Sequence, residues 1–430
     1  MSIGVFFIVF FALLLISLPI GATFAGVTVL LKLLDPAFSL TIEAAVRSMV
    51  SGLDSFPLLA IPLFMLSGVI MAKGGISDKI FNFFGYFLGN KTAGFPCAVI
   101  VTCLFYGAIS GSGPATTAAV GSMTIPFLVS MGYDLVFATA LVAVSGGLGV
   151  IIPPSIPFIV YATTTNSSVS QLFIAGIFPG ILIGLCLMAY AYYYCRKRGE
   201  DKEKLRVKYE EIRKKGFLPL FLDSFWALLS PVIILGSIYS GIASPTEAAA
   251  VSIYYALAVS LFIYKTIKIR DLWTVFREGV NTYASVMFIM ATAITFSRVI
   301  TLMGIGNYIR DSVLALFGSK LMILLIINGV LLIAGMLLDA LSAILILAPM
   351  MFPAVTAIGV NPIHFGIIMV VNLAIGFVTP PMGMNLFVSS NLTKVPVMTI
   401  ARKVLPFIAS FAVAAVLINF IPQISLLLVK

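Results

Sequence analysis

The sequence is poor in charge. Asp, Glu, Lys and Arg make up only 10% of its 430 residues, against 61% hydrophobic residues and a mean hydropathy of +1.14. A water-soluble domain is about a quarter charged, so that class is excluded and the chain reads as a polytopic membrane protein. There is one histidine, His364, and one acid, Asp339, that falls deep within an apolar segment. Hydrolysis inside a membrane would want a paired aspartate, a Ser-His set or a metal motif, so the chain is not read as an enzyme. The four cysteines, Cys97, Cys103, Cys186 and Cys195, have no metal-like spacing and imply neither a disulfide frame nor a zinc site. The net charge of +10 does not point to nucleic acid, because half of it lies between Arg196 and Lys215, where ten Lys and Arg face five acids in what reads as a loop. The N-terminus is apolar from Ile3 through Leu34 and lacks a basic start, which argues for a retained span rather than a signal peptide.

Breakers are present in a pattern. Gly149-Val150-Ile151-Ile152-Pro153-Pro154 interrupts sequence apolar enough for the bilayer, and two prolines leave the carbonyls before them without helical partners. In hydrocarbon such groups are tolerated only where protein covers them or where they line a cavity. Gly376-Phe377-Val378-Thr379-Pro380-Pro381 repeats the glycine and both prolines 227 positions later, and the same offset relates Pro126 to Pro353, Gly132 to Gly359 and Pro179 to Pro406. A double proline alone can be a simple kink. Two in register point to duplication, with halves at roughly 50–185 and 277–412.

Taken in order, residues 3–34 read as one long helix bent near Pro19 and Gly21, followed by a polar link through Asp54 and a span at 56–72. Residues 76–90 suit an amphipathic interfacial helix. Residues 94–131 are cut by Ser110-Gly111-Ser112-Gly113-Pro114 into arms too short to cross, which predicts a re-entrant hairpin, although such a run is usually a surface loop in soluble proteins. A broken span at 134–165 and a continuous one at 171–195 end the first half. Spans at 217–240 and 245–265 follow, the second opened by the capping box Ser244-Pro245-Thr246-Glu247, whose glutamate is read as structural. The plan then repeats: a span at 278–303, an interfacial piece at 305–318, a hairpin at 320–358 interrupted near Leu338-Asp339-Ala340-Leu341-Ser342, a broken span at 362–392 and a last span at 398–428.

The predicted fold is therefore an all-α polytopic membrane protein with inverted structural repeats, two re-entrant helical hairpins and two broken transmembrane helices. Its units are 1–90 (scaffold and interfacial arm), 91–195 (first transport half), 196–275 (basic loop and connecting scaffold), 276–318 (second scaffold helix and arm) and 319–430 (second transport half). Positive residues collect in cytoplasmic loops, which puts 196–215 and Lys265, Lys268 and Arg270 inside. An odd number of crossings between the halves then inverts one against the other.

This is the architecture of secondary transporters that bind solute and coupling ion near the midplane. Half-helix N-termini suit an anionic solute, and unwound carbonyls suit a small hard cation, so sodium, two ions or more, is expected. The candidate sodium ligands are Ser110, Ser112, Gly149, Ile152 and Ser155 in the first half and Asp339, Ser342, Gly376, Thr379 and Asn385 in the second. Solute is expected around Ser110, Gly111, Ser112, Pro154, Ser155, Asp339, Pro381 and Asn385. An acid such as Asp339 is costly in the membrane unless paired or functional, and a structural partnership with a helix end is the plain alternative. His364 lies near the mouth of a span, and Tyr190 to Tyr194 form an interfacial belt.

The stretches FYGAISGSGPATTAAVGSMTIP (105–126), GLGVIIPPSIPFIVYA (147–162), SPTEAAA (244–250) and GFVTPPMGMNLFV (376–388) resemble, essentially end to end, the large membrane subunit of tripartite ATP-independent periplasmic (TRAP) transporters, the DctM/SiaM family. The resemblance implies a multi-pass bacterial inner-membrane symporter of the ion-transporter superfamily, importing an organic acid such as sialic acid or a C4-dicarboxylate down a sodium gradient by an elevator motion. It implies two partners: a periplasmic binding protein that delivers the solute, and a small four-helix membrane subunit, expected as a separate chain. It also maps sodium onto Ser110 and Ser112, Asp339, and the breaks at Gly149 to Ser155 and Gly376 to Asn385, with solute between the two tips. The alternative is a stand-alone sodium-coupled carboxylate carrier without a binding protein. A passive channel fits the paired breaks less well.

Overall fold

The computed structural model describes residues 3–36, 38–214 and 216–429, and the described chain is helical with no strand. Among the described residues, eight helical runs are long and apolar enough to cross a membrane: Phe56–Lys73, Val169–Arg198, Phe217–Tyr239, Pro245–Ile263, Ile269–Leu302, Lys320–Leu337, Ala340–Ala357 and Val397–Phe420. Shorter apolar helices flank both breaks, among them Leu135–Val150, Ile156–Thr165 and Pro362–Gly376.

Residues 3–34 form two helices rather than one bent span. α1 (Ile3–Leu15) ends in a reversal in which Ser17 takes a left-handed φ of 62°. Ser17 N bonds Leu14 O and Leu18 N bonds Leu13 O, the paired bonds of a Schellman motif. α2 (Ile20–Leu34) then folds back, with the Phe10 and Phe24 rings 6.4 Å apart and both against Phe296. In a continuous helix those rings would lie about 21 Å apart along the axis. The polar link also contains a helix, α3 (Ile42–Leu53), because the Thr41 hydroxyl caps it by accepting from Ala44 N at 3.1 Å. It docks where Arg298 Nη1 donates to Ser48 Oγ at 2.7 Å.

α4 (Ala60–Lys73) leads to the amphipathic α5 (Ile76–Leu88), which buries Ile76, Ile80 and Phe81. α6 (Gly94–Ser110) and α7 (Gly113–Ser130) form a helical hairpin. α8 (Leu135–Gly146) runs into a 3₁₀ turn at Gly147–Val150, and the chain restarts at α9 (Ile156–Thr165) before the long α10 (Val169–Arg198). The basic stretch is not all loop. It contains α11 (Lys202–Lys214), which forms because Leu205 and Ile212, two turns apart on one face, find buried positions. α12 (Phe217–Tyr239) and α13 (Pro245–Ala258) follow, the latter with the capping box and proline at its start.

The second unit comprises α14 (Leu272–Leu302), α15 (Ile305–Leu316), the hairpin α16 (Lys320–Leu337) and α17 (Ala340–Ala357), the broken pair α18 (Pro362–Gly376) and α19 (Met384–Thr393), α20 (Val397–Phe420) and a short α21 (Gln423–Leu426). Its correspondence with the first extends to details of the backbone. Gly75 and Gly304 cap α5 and α15 in the left-handed region, Asn166 and Lys394 end α9 and α19 there, and Asp134 and Asn361 cap α8 and α18 through their side chains. Pro153-Pro154 and Pro380-Pro381 are both cis.

The basic ends meet on one face. Lys79 pairs with Asp223 at 2.7 Å, Lys73 with Glu278, and Lys403 with Asp134 at 3.8 Å, while Glu200 accepts from Ala93 N at 3.0 Å. By the positive-inside rule this face is cytoplasmic. α20 runs antiparallel to its counterpart α10: Lys403 sits 4.6 Å over the Tyr194 ring, Phe407 meets Tyr190 at 4.5 Å and Ser410 Oγ donates to Cys186 O at 2.6 Å.

Candidate functional site

The first hairpin turns at Gly111, whose φ of +61° is a left-handed backbone that glycine adopts freely. The turn is built against the first break. Ile156 N donates to Gly111 O at 3.3 Å, and a Cβ on Gly107 would sit 2.7 Å from Gly149 Cα. Because both residues are glycine, backbone meets backbone and oxygens collect in the seam. Ser110 Oγ and Thr116 Oγ1 share a hydrogen bond of 2.8 Å, and Ser112 O and Thr116 Oγ1 both face the Gly149 Cα. The seam is buried, and its donor set is all oxygen, which suits a hard cation.

In the break itself, Val150 O would be bonded by residue 154 in an unbroken helix, and Pro154 has no N–H. The Ser155 hydroxyl donates to Val150 O instead and also caps α9, accepting from Phe158 N at 3.3 Å. Ser155 thus repairs the backbone. Gly149 O is left without its helical donor because that position is Pro153.

The second unit uses different side chains on the same frame. Asp339 caps α17: one carboxylate oxygen accepts from Leu341 N and Ser342 N, both at 3.1 Å, and the other accepts from the Ser342 hydroxyl. The helix-end partnership is therefore present. It fixes the carboxylate at the positive N-terminal end of α17 while leaving it partly exposed. In the break, Thr379 Oγ1 donates to Ile375 O at 2.8 Å and Asn385 N to Phe377 O at 3.0 Å. Asn385 Nδ2 donates to Ala143 O of α8 at 3.0 Å, tying the second break to the first. Among the described residues the buried Asn385 Oδ1 has no hydrogen-bond partner. A buried amide oxygen left this way is costly, and a cation would satisfy it.

Two cavities adjoin at the first tip. One, of about 400 Å³, is walled by Gly111, Ser112 and Pro114 of the first tip, Asp339 and Ala340 of the second, and Phe377 and Met384 of the second break. The other, of about 640 Å³, continues from Ser110, Ser112 and Thr282 to Lys73, Asp78 and Glu278 at the basic face. Of the residues expected around solute, Gly111, Ser112 and Asp339 line the first cavity and Ser110 and Ser112 the second. Pro154, Ser155 and Asn385 are buried behind the wall, and Pro381 is exposed outside it. Ile152 is buried against α10, its side chain pressed on Gly180, and Gly376 is buried against Gly335. His364 is buried, its Nε2 3.4 Å from Asn419 O, rather than at an open mouth.

Sequence reasoning missed Thr116, Lys73, Glu278 and Thr282. Thr116 had a readable signal, a hydroxyl within the turn that restarts the helix after the tip. Glu278 and Thr282 lie one turn apart on α14, Lys73 ends α4, and no spacing relates that pair to Lys73 or to the tips.

Residues 7–424 match the family described as tripartite ATP-independent periplasmic transporter, DctM component. The chain belongs to the DctM family. It is a multi-pass inner-membrane permease and not an enzyme. It is 42% identical over 388 residues to the isethionate TRAP transporter permease protein DctMQ of Oleidesulfovibrio alaskensis, covering 90% of this chain but only 60% of that relative. It is 40% identical to the C4-dicarboxylate TRAP transporter large permease protein DctM of Pseudomonas aeruginosa, covering 94% of this chain and 92% of the relative. With the sialic acid TRAP transporter large permease protein SiaM of Vibrio cholerae it shares 35% identity over 97% and 96% of the two chains. The fold of this DctM-family chain is similar to that of MtrF of Neisseria gonorrhoeae, with a TM-score of 0.66 at 13% identity over 94% of each chain.

Proposed function

We propose that the chain is the large permease of a sodium-coupled TRAP transporter that imports an organic acid handed over by a periplasmic binding protein. A small membrane subunit partners it. The observation that carries this reading is the meeting of the two tips. Ser112 and Asp339, from corresponding turns of the two units, wall one cavity, and each tip is backed by its own broken helix. The tip-and-break seams are the sodium sites: Ser110, Thr116 and the Ser112 and Gly149 carbonyls in one, Asp339 and Asn385 in the other. The solute, an anion of the class named for the relatives (isethionate, C4-dicarboxylate or sialic acid), lies between the tips.

The antiparallel run of α10 and α20 supports an inverted repeat, with both hairpins re-entrant and the tips at mid-membrane. The hairpins, broken helices, α10 and α20 form the moving body of an elevator against α2, α3, α4, α12, α13 and α14. Cavities that reach the basic face correspond to its inward-facing state. Uptake by proteoliposomes holding the permease and small subunit, with binding protein outside, tests the reading. Uptake should need sodium and the binding protein. Equal uptake in potassium, or by the permease alone, would overturn the coupling or the delivery respectively.

A further inference from the structure

The larger cavity has a charge arrangement that the sodium and solute sites leave unused. Its lining contains three charged side chains: Lys73 at the end of α4, Glu278 on α14 and Asp78 at the start of α5. It shares Met65, Ser112 and Thr282 with the cavity between the tips, so the two are continuous. A solute leaving the tips for the cytoplasm passes these groups. The lone cation is not free, because Lys73 Nζ is paired with Glu278. Glu278 is placed one turn before Thr282 on α14, and the Thr282 hydroxyl donates to Glu278 O at 2.8 Å. Among the described residues Asp78 has no such partner, and the neighbouring Lys79 turns away to Asp223 at 2.7 and 2.8 Å. With Lys73 held by Glu278, the described lining of the exit offers a passing anion no unpaired cation.

We propose that Glu278 masks Lys73 and so keeps the cytoplasmic exit weakly binding for anions: a carboxylate or sulfonate solute leaves easily and re-enters poorly, which favours import. The inference rests on the reading of the chain as an importer of organic anions. Physically it is a matter of one charge. An unmasked ammonium within several ångströms of a passing anion in a half-solvated cleft changes its affinity by about three- to tenfold, and salt screens the effect.

The test is the KM for solute presented at the cytoplasmic face, from efflux and counterflow of radiolabelled succinate, isethionate or N-acetylneuraminate, whichever the wild type moves. It uses the permease with its small subunit in oriented proteoliposomes. Glu278→Gln should lower that KM about three- to tenfold at low salt, with a smaller change in 0.5 M salt. Lys73→Gln should raise it. The double variant K73Q/E278Q should fall below Lys73→Gln, which keeps the prediction testable if Glu278→Gln alone is unstable. A Glu278→Gln KM that is unchanged, raised, or shifted equally at both salt concentrations overturns the masking role and leaves the importer reading standing. A wild type that moves none of these anions overturns both.

Discussion

Gly335 and Gly376 stand backbone to backbone, so close that a methyl group on Gly335 would meet Gly376 Cα at 3.1 Å. Gly107 and Gly149 do the same at 2.7 Å in the first unit. Each glycine pair joins one hairpin arm to one break, and the pairs are 228 and 227 positions apart in sequence. The contact is what lets unwound backbone be covered by protein rather than lipid.

Gly376→Ala and Gly107→Ala should therefore be damaging. Neither neighbour is a flexible side chain, so the helices must separate, at a cost of about 1–3 kcal/mol or more. Thermal unfolding of the purified variants should show a loss of several degrees and transport should fall. Gly329→Ala, in α16 with open space around it, is the control and should be neutral or slightly stabilising.

Asn385→Ala removes the amide that donates to Ala143 O and the unpartnered Oδ1 together. The lost hydrogen bond costs about 1 kcal/mol, while half-saturating sodium should rise about tenfold or more. Sodium titration of uptake separates the two effects. A stability loss with unchanged sodium dependence would make Asn385 purely structural.

Ser110→Ala and Thr116→Ala each take one oxygen from the first seam, and each should raise half-saturating sodium several-fold without altering the dependence on binding protein. Their hydroxyls bond each other, so the double variant should cost less than the sum of the singles.

Much of this frame was legible in the sequence because breakers are conspicuous in apolar sequence. Glycines and double prolines at one offset located both breaks, and Asp339 stood out as an acid among leucines. The α1–α2 reversal escaped because its left-handed residue is Ser17, where glycine would have signalled a turn. α3 and α11 escaped because short polar-faced helices in connecting segments are stabilised by docking, through Ser48 to Arg298 and through Leu205 and Ile212, rather than by a pattern strong enough to read alone. Pro154, Ser155 and Pro381 were placed near solute by adjacency in sequence. The backbone turns them behind or outside the cavity wall.

Burial pushes the Asp78 carboxyl above its ordinary range, against the pull of Lys79. A carboxyl whose folded-state pKa is raised penalises the fold once it ionises, and the penalty is relieved as pH falls through that pKa. Asp78→Asn should therefore raise the melting temperature at pH 7 by about 1–2 °C, with the advantage over wild type shrinking toward pH 4. An advantage independent of pH would assign it to another cause.

The central claim is that two seams, one per unit, each hold a sodium ion. Its most direct test is the sodium dependence of initial solute uptake at saturating binding protein, in wild type, Thr116→Ala and Asn385→Ala. The account predicts a sigmoidal wild-type curve with a Hill coefficient above 1 and up to about 2, shifted to higher sodium by either substitution. A hyperbolic curve that neither substitution moves, or uptake unaffected by replacing sodium with potassium, would contradict it.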